Sequence, residues 1–531
     1  LPQSTLRALN NQIAPASGFY RISGTVVNAV TGEPVRRATV SAQPVENSQT
    51  VESVESGNDG HFALERLPAA KYLLTASKRG FRTGFYDEHE GFNTAIVTGA
   101  DQDTGGLVFR LMPEAVLYGV VTGDGGDPVE GASVMLFRKP HGHEPGGRIG
   151  QTGSAITDDT GFYEFDNLAE GEYLLAVKAE PWYALHPSAG RTRPDGDPST
   201  SLDVAYPVTY YDSTTDEASA TGIALARGSR EDANINLHAV PAIHLLFPPQ
   251  DPQDNTKPHP VQLSQPVFGE LLPSQIALTT DATQPGAYEL SGVAPGHYEL
   301  EQGNPPRMID LDATANQTID PNLGTPFVAL TGTLQTPSGA PLAGEAILTL
   351  KPADGAVLPR PMQTAISRGG SFSFESVPSG AWELLVTGSG KLLPVTSTTV
   401  DGKKRAGNQV TVGDGPLSIA VTVAAAETSV EGFARKDGRG KGGAMVVLVP
   451  GSQSASTGLF RRDQSDSDGS FSLRDVAPGR YTVVAIEGGW ALDWSQPEVI
   501  GRYLKRGIAV TVTGDSGKVI HLSEPVPVQS R

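Results

Sequence analysis

Asp468-Gly469-Ser470-Phe471-Ser472-Leu473-Arg474-Asp475-Val476-Ala477-Pro478-Gly479-Arg480-Tyr481-Thr482-Val483 decides how the chain is read, because four other stretches repeat its spacing without an insertion. Counted from the first glycine of each stretch (Gly60, Gly161, Gly286, Gly370, Gly469), an aromatic follows at two: Phe62, Tyr163, Tyr288, Phe372 and Phe471. A large apolar residue follows at four (Leu64, Phe165, Leu290, Phe374, Leu473), an aliphatic at seven (Leu67, Leu168, Val293, Val377, Val476) and a small residue at ten. At twelve stands a second aromatic, Tyr72, Tyr173, Tyr298, Trp382 or Tyr481, which we take as the structural hub of each repeat. Apolar residues that alternate with polar ones are the period-two mark of strands with one buried face. Asp59-Gly60 and Asp468-Gly469 suit the positive φ of a tight hairpin, and Pro295-Gly296 and Pro478-Gly479 suit the centre of a type II turn. Each repeat is therefore expected to hold two strands wrapped around a shared aromatic pair.

Upstream of the hub a second pattern recurs. Gly24-Thr25-Val26 precedes Gly32-Glu33-Pro34-Val35-Arg36-Arg37-Ala38-Thr39-Val40, and Gly119-Val120-Val121 precedes Gly126-Asp127-Pro128-Val129-Glu130-Gly131-Ala132-Ser133-Val134. The fourth repeat keeps part of it as Gly339-Ala340-Pro341-Leu342, and the fifth reads Gly438-Arg439-Gly440-Lys441 before Ala444-Met445-Val446-Val447-Leu448. The third has lost it, since Pro248-Pro249 and Pro258 to Pro260 fall where a central strand belongs, so it is expected to be irregular.

Successive hubs lie 101, 125, 84 and 99 residues apart, the size of whole sandwich domains. We expect an all-β chain: an N-terminal arm at 1–19, then β-sandwiches at 20–114, 115–240 (with long loops), 241–325 (irregular), 326–425 and 426–531. The joints (Met112 to Ala115, Ala239 to Pro241, Gly324 to Pro326, Ala424 to Glu427) are short and are not Gly/Ser tethers, which suggests an elongated, semi-rigid rod. The 61 glycines, 41 prolines and 19% charged residues suit short-stranded domains. A net charge of -19 argues against nucleic acid and anionic lipid as partners, and no apolar run is long enough for membrane insertion. Cysteine is absent, which removes disulfides, thiolate metal sites and cysteine nucleophiles. Leu1 in place of methionine suggests a removed signal peptide, and hence an extracellular or cell-surface location.

The order Gly-x-Val, Gly-x-Pro-Val-x-x-Ala-x-Val, Gly-x-Phe/Tyr-x-Phe/Leu-x-x-Leu/Val and Gly-x-Tyr-x-Leu resembles the carboxypeptidase regulatory-like domain, a transthyretin-like sandwich similar to starch-binding-like modules and to other Ig-like folds. The resemblance implies seven-stranded sandwiches of the kind used as spacers and surface modules in exported proteins of Gram-negative bacteria. It implies a fold and leaves the role open.

Chemistry is sparse. His141-Gly142-His143-Glu144 contains a His-x-x-Glu pair but lies in a Pro/Gly-rich loop, and we read it as solvent-exposed rather than as a zinc site. Asp158-Asp159 and Asp466-Ser467-Asp468 resemble pieces of calcium loops without the distal glutamate, and are read as turns. Gly388-Ser389-Gly390-Lys391 lacks the rest of a phosphate loop. No catalytic constellation, cofactor or metal is expected. The remaining candidates are aromatics after the hub: Phe81, Phe85 and Tyr86; Trp182, Tyr183, Tyr206, Tyr210 and Tyr211; Trp490, Trp494 and Tyr503. Such rings either cap the sandwich or stack on a sugar or a protein. Ser495-Gln496-Pro497-Glu498 with Val499, Ile500, Tyr503 and Leu504 reads as a capped short helix over an end of the core.

The leading expectation is a non-enzymatic, exported structural protein whose partners are other copies of itself. The terminal arms 1–19 or His521 to Gln529 would add to a neighbour's sheet edge. The alternative is a carbohydrate-binding accessory protein, which requires Trp182, Trp490 and Trp494 to be exposed and coplanar for polysaccharide.

Overall fold

The computed structural model describes residues 19–46, 51–140, 149–180, 203–248, 261–274, 278–280, 287–303, 306–320, 322–342, 346–353, 362–388, 391–423, 428–451, 459–513 and 519–531. The chain is all-β, as the alternation predicts, and it divides into two compact units. One comprises Leu1–Glu114 with Glu427–Arg531, the other Ala115–Ala426.

In the first unit, the first repeat is a sandwich. The strand Tyr20–Asn28 is flanked by antiparallel His61–Leu67 and parallel Leu107–Leu111 in one sheet. Thr39–Pro44, Glu52–Glu55, Lys71–Lys78 and Phe81–Phe85 form the other, and Ile22, Val26, Phe62, Leu64, Tyr72, Leu74 and Phe109 fill the space between. The fifth repeat follows the same plan. Its last strand, Val526–Ser530, runs parallel to both Thr428–Lys436 and Gly479–Glu487 and so joins the two sheets. Val519–His521 also pairs with Thr428–Lys436, so the segment expected to reach a neighbour's sheet is paired at home.

In the second unit the second and fourth repeats use the same layout, including the parallel pairs Ala115–Thr122 with Arg230–Asp232 and Val328–Gln335 with Leu417–Val423. The third repeat, expected to be irregular, still places Ile243–Phe247 antiparallel to Tyr288–Val293 and Val261–Val267 antiparallel to Gly296–Gln302. Most of its opening, residues 249–260, lies outside the described residues.

The hub differs from the expected hairpin in a consistent way. His61–Leu67 and Lys71–Lys78 belong to different sheets, so the hub is an arch that crosses the sandwich. The same holds for Phe162–Leu168 with Gly171–Lys178 and for Ser371–Val377 with Gly380–Gly388. Gly296 and Gly479 are not among the positive-φ residues, so the type II reading fails. The left-handed residue sits four places earlier, at Arg66, Asn167, Gly292 and Asp475. There the ladder slips by one residue: Ile22 faces Leu64 but Tyr20 faces Leu67, and Val430 faces Leu473 but Thr428 faces Val476. This is a β-bulge. It explains why the apolar positions step from two to four to seven, because the extra residue returns position seven to the core face. The first glycine is as expected, with Gly60, Gly161, Gly370 and Gly469 all at φ between 73° and 85°.

Beyond the bulge the second aromatic closes the arch. Tyr72 Oη donates to Pro68 O (3.1 Å), Tyr173 to Ala169 O (2.9 Å), Tyr298 to Ala294 O (2.8 Å) and Tyr481 to Ala477 O (2.8 Å). Trp382 makes the same bond with Nε1, to Pro378 O at 3.0 Å. All five rings are at most 4% exposed. This is the logic of the tyrosine corner: a buried ring fills the core while its polar tip satisfies a carbonyl the arch would otherwise strand.

Candidate functional site

Strands with apolar residues on both faces locate the sites. In Met445–Pro450 every residue is buried, and in Ser133–Arg138 Met135 and Phe137 are buried on the side away from the core pair Val134 and Leu136. A sheet with two apolar faces needs a second cover. In the fifth repeat the outer face (Met445, Val447, Val449, Val484, Ile486) is covered by Trp490 and by the helix Pro497–Leu504 through Ile500. The helix is where the sequence places it, but the Gln496 side chain at its N-cap bonds to Asp493 rather than capping the helix, and the helix covers a sheet face rather than an end of the core.

The first repeat completes this cover. Phe92 packs on Trp490 at 5.3 Å between ring centroids, and His89 stacks on the same indole at 5.5 Å and 9°. The Arg462 guanidinium lies 5.3 Å from the Phe92 ring, 5.8 Å from Trp490 and 4.2 Å from Trp494, and its Nη1 donates to Glu90 Oε2 at 2.7 Å. Beside this stack, Gln464 (1% exposed) donates through Nε2 to Thr94 Oγ1 at 2.7 Å and to Asp87 O. The Asp466-Ser467-Asp468 turn of the fifth hub then meets the first repeat's strand Ile96–Val97. Ala95 N donates to Asp466 Oδ1 (3.1 Å), Val97 N to Ser467 Oγ (2.8 Å) and Ser467 N to Ala95 O (2.9 Å). Lys71 Nζ pairs with Asp466 Oδ2 at 2.7 Å and donates to Ser470 Oγ at 2.8 Å. Burial raises the Asp466 carboxyl above its usual range against the pull of Lys71. Gly443 sits where a Cβ would come within 2.4 Å of Asp87 Oδ2. The row of repeats in sequence order that the short joints suggest therefore does not describe this unit, in which the first repeat sits on the fifth.

The second unit has a counterpart. Phe268, at the tip between Val261–Val267 and Glu270–Pro273, inserts against Phe137 (5.0 Å) and Tyr210 (5.1 Å) on the outer face of the second repeat. Glu217 Oε2 accepts from Phe268 N at 2.8 Å and from Tyr210 Oη at 3.2 Å. Burial, and then Glu217, push the Tyr210 hydroxyl well above its ordinary pKa.

The sequence-derived candidates are thereby placed. Tyr210 and Trp490 are buried in contacts between repeats, and Trp494 lies half-buried under Arg462. Tyr86 and Tyr211 pack against the cores of their own repeats. Trp182, Tyr183 and the His141 to Glu144 loop lie outside the described residues. An exposed, coplanar platform including Trp490 is not what the structure contains, since His89 and Phe92 cover that ring. Asp158 closes its own turn, accepting from Thr160 N and Phe162 N at 2.9 Å each. Among the described residues no group of three or more His, Cys, Asp or Glu side chains could hold a metal ion, and no helix is long and apolar enough to cross a membrane. Sequence reasoning missed Gln464, Arg462 and the loop from Asp87 to Val97, whose signal was the uninterrupted apolar run Ala444 to Leu448.

The arrangement defines a multi-module β-sandwich protein with ordered contacts between modules. Residues 21–109 and 116–238 match the carboxypeptidase regulatory-like domain, and these two segments belong to that family. No curated protein matches the chain. Among solved structures, the Bacillus anthracis TIE protein aligns with 98% of this chain and 76% of its own at 9% identity and a TM-score of 0.16. The Streptococcal ancillary pilin aligns over 57% of this chain and 98% of its own (13% identity, TM-score 0.20). Two B repeat units of the Staphylococcus aureus collagen binding protein align over 76% and 100% (12% identity, TM-score 0.13). At such similarity no function passes from these proteins to this chain.

Proposed function

We propose that this chain is a structural, non-catalytic protein of the cell surface or of a surface filament, whose work is to hold modules in fixed contact and to associate with other copies of itself. The reading keeps five modules, at 20–114, 115–240, 241–325, 326–425 and 426–531, after an arm at 1–19. One observation carries it: the side chains best suited to seize a ligand, Trp490, Arg462 and Asp466, are engaged by the neighbouring repeat. Surfaces of this kind fix geometry, and their polar groups are engaged with one another across the contact. Export fits the same reading, since a protein without cysteine loses nothing in an oxidising compartment. Electron microscopy of the native protein, with sedimentation across a concentration series, tests it. Contacts between molecules and a mass that rises with concentration are expected, and single monodisperse particles at the highest concentration would count against self-association.

A further inference from the structure

The hydrogen bonds between the first and fifth repeats join residues 370 to 399 positions apart, so the two surfaces meet by docking and not through a local connection. Each repeat keeps its own core: the first is filled by Ile22 to Leu111 and the fifth by Val430 to Val526, with no side chain exchanged between them. Across the contact the first repeat adds Phe92 and the His89 ring over Trp490, while the fifth's outer apolar cluster beneath stays covered by its own Trp490 and Ile500. The rest is polar and reciprocal: Lys71 with Asp466, Glu90 with Arg462, Thr94 with Gln464, and the Ala95 and Ser467 backbones. Such a contact separates into two water-tolerant surfaces at little cost to either fold, as interfaces between domains of one chain commonly do. It is also heterologous, since the two faces are different. A heterologous contact made between molecules instead of within one leaves a free face at each end, and so generates rings or open chains.

We propose that this contact is exchangeable: the first repeat of one molecule docks on the fifth repeat of a second molecule through the same residues, and this is the surface by which the chain self-associates. The proposal rests on the self-association reading above and assigns it a surface. Closure within one molecule does not depend on concentration whereas docking between molecules does, so the closed form prevails in dilute solution and exchange grows with concentration.

The test uses two full-length variants. Lys71→Glu spoils the first repeat's face and leaves Asp466 intact, while Asp466→Lys spoils the fifth repeat's face and leaves Lys71 intact. Each variant alone sets like charges against each other in its contact, within a molecule and between identical molecules. In the equimolar mixture an unaltered first face meets an unaltered fifth face across two molecules. Sedimentation equilibrium is expected to show monomers for each variant and a doubled mass for the mixture. A mixture that stays monomeric overturns the proposal. To separate this from misfolding at the Asp466 turn, a second mixture pairs Glu90→Arg with Arg462→Glu, which spoil the two faces at the other ion pair, and circular dichroism checks every chain. If the wild type associates while neither mixture doubles, the assigned surface is wrong and the self-association reading stands. If a mixture doubles but the wild type never associates, the surface is right and the reading fails.

Discussion

At the scale of single residues, one hydroxyl per repeat holds each arch. Removing the Tyr481 hydroxyl by Tyr481→Phe strands the Ala477 carbonyl and is expected to cost about 1 kcal/mol. Urea unfolding reads the loss, and an unchanged midpoint would mean that the ring alone closes the arch. Asp463 acts in the opposite sense. Burial pushes its carboxyl up to about 6, against the hydrogen bonds from Ser472 N and Gln464 N. A carboxyl raised in the folded state favours folding while protonated, so its contribution is fully present below its ordinary value of 3.8 and is lost as the pH climbs through about 6. Between these values the wild type is expected to lose more stability with rising pH than Asp463→Asn. Parallel pH profiles of the two urea midpoints would show that Asp463 is not so enclosed.

At the scale of elements, the opening glycine and the first aromatic of the arch are one device, Gly24 facing Phe62 and Gly332 facing Phe372. A Cβ on Gly24 would lie 2.1 Å from Leu107 O on the adjacent parallel strand, and one on Gly332 would lie 2.1 Å from Ile419 O and 2.6 Å from Phe372 Cζ. Gly24→Ala is therefore expected to cost about 2–3 kcal/mol by forcing Tyr20–Asn28 from Leu107–Leu111, measurable as a fall in melting temperature. Much of this was legible in the sequence, because spacing that repeats five times reports a shared backbone. The strands and the left-handed Gly60 and Gly469 follow from that spacing. What misled was local turn chemistry. Pro478-Gly479 has the residues of a type II turn, but the chain must also cross from one sheet to the other, and the bulge at Asp475 does that work instead. A buried hydroxyl also went unread: Ser56, Thr157 and Ser465, each four places before the hub glycine, bond to the opening loop at Val35 O, Val129 O and Lys441 O.

At the scale of the molecule, the docking of the first repeat on the fifth could not be read from one sequence, since its halves are far apart and each alone looks like an ordinary turn or loop. Phe92→Ala removes the one large apolar group that the first repeat contributes to the fifth's outer cluster. Hydrogen exchange is expected to quicken at Ala95 and Val97, whose amides donate across the contact, while the hub strand His61–Leu67 stays protected. Equal quickening in both would show that docking and core are not separable. Because the first and fifth repeats grip each other, a pull applied to the outer portions of the chain has a shortcut. Tension that enters at Tyr20–Asn28 and leaves at Val526–Ser530 is borne by the pairs Lys71 with Asp466, Glu90 with Arg462 and Thr94 with Gln464, so these part before either core is strained.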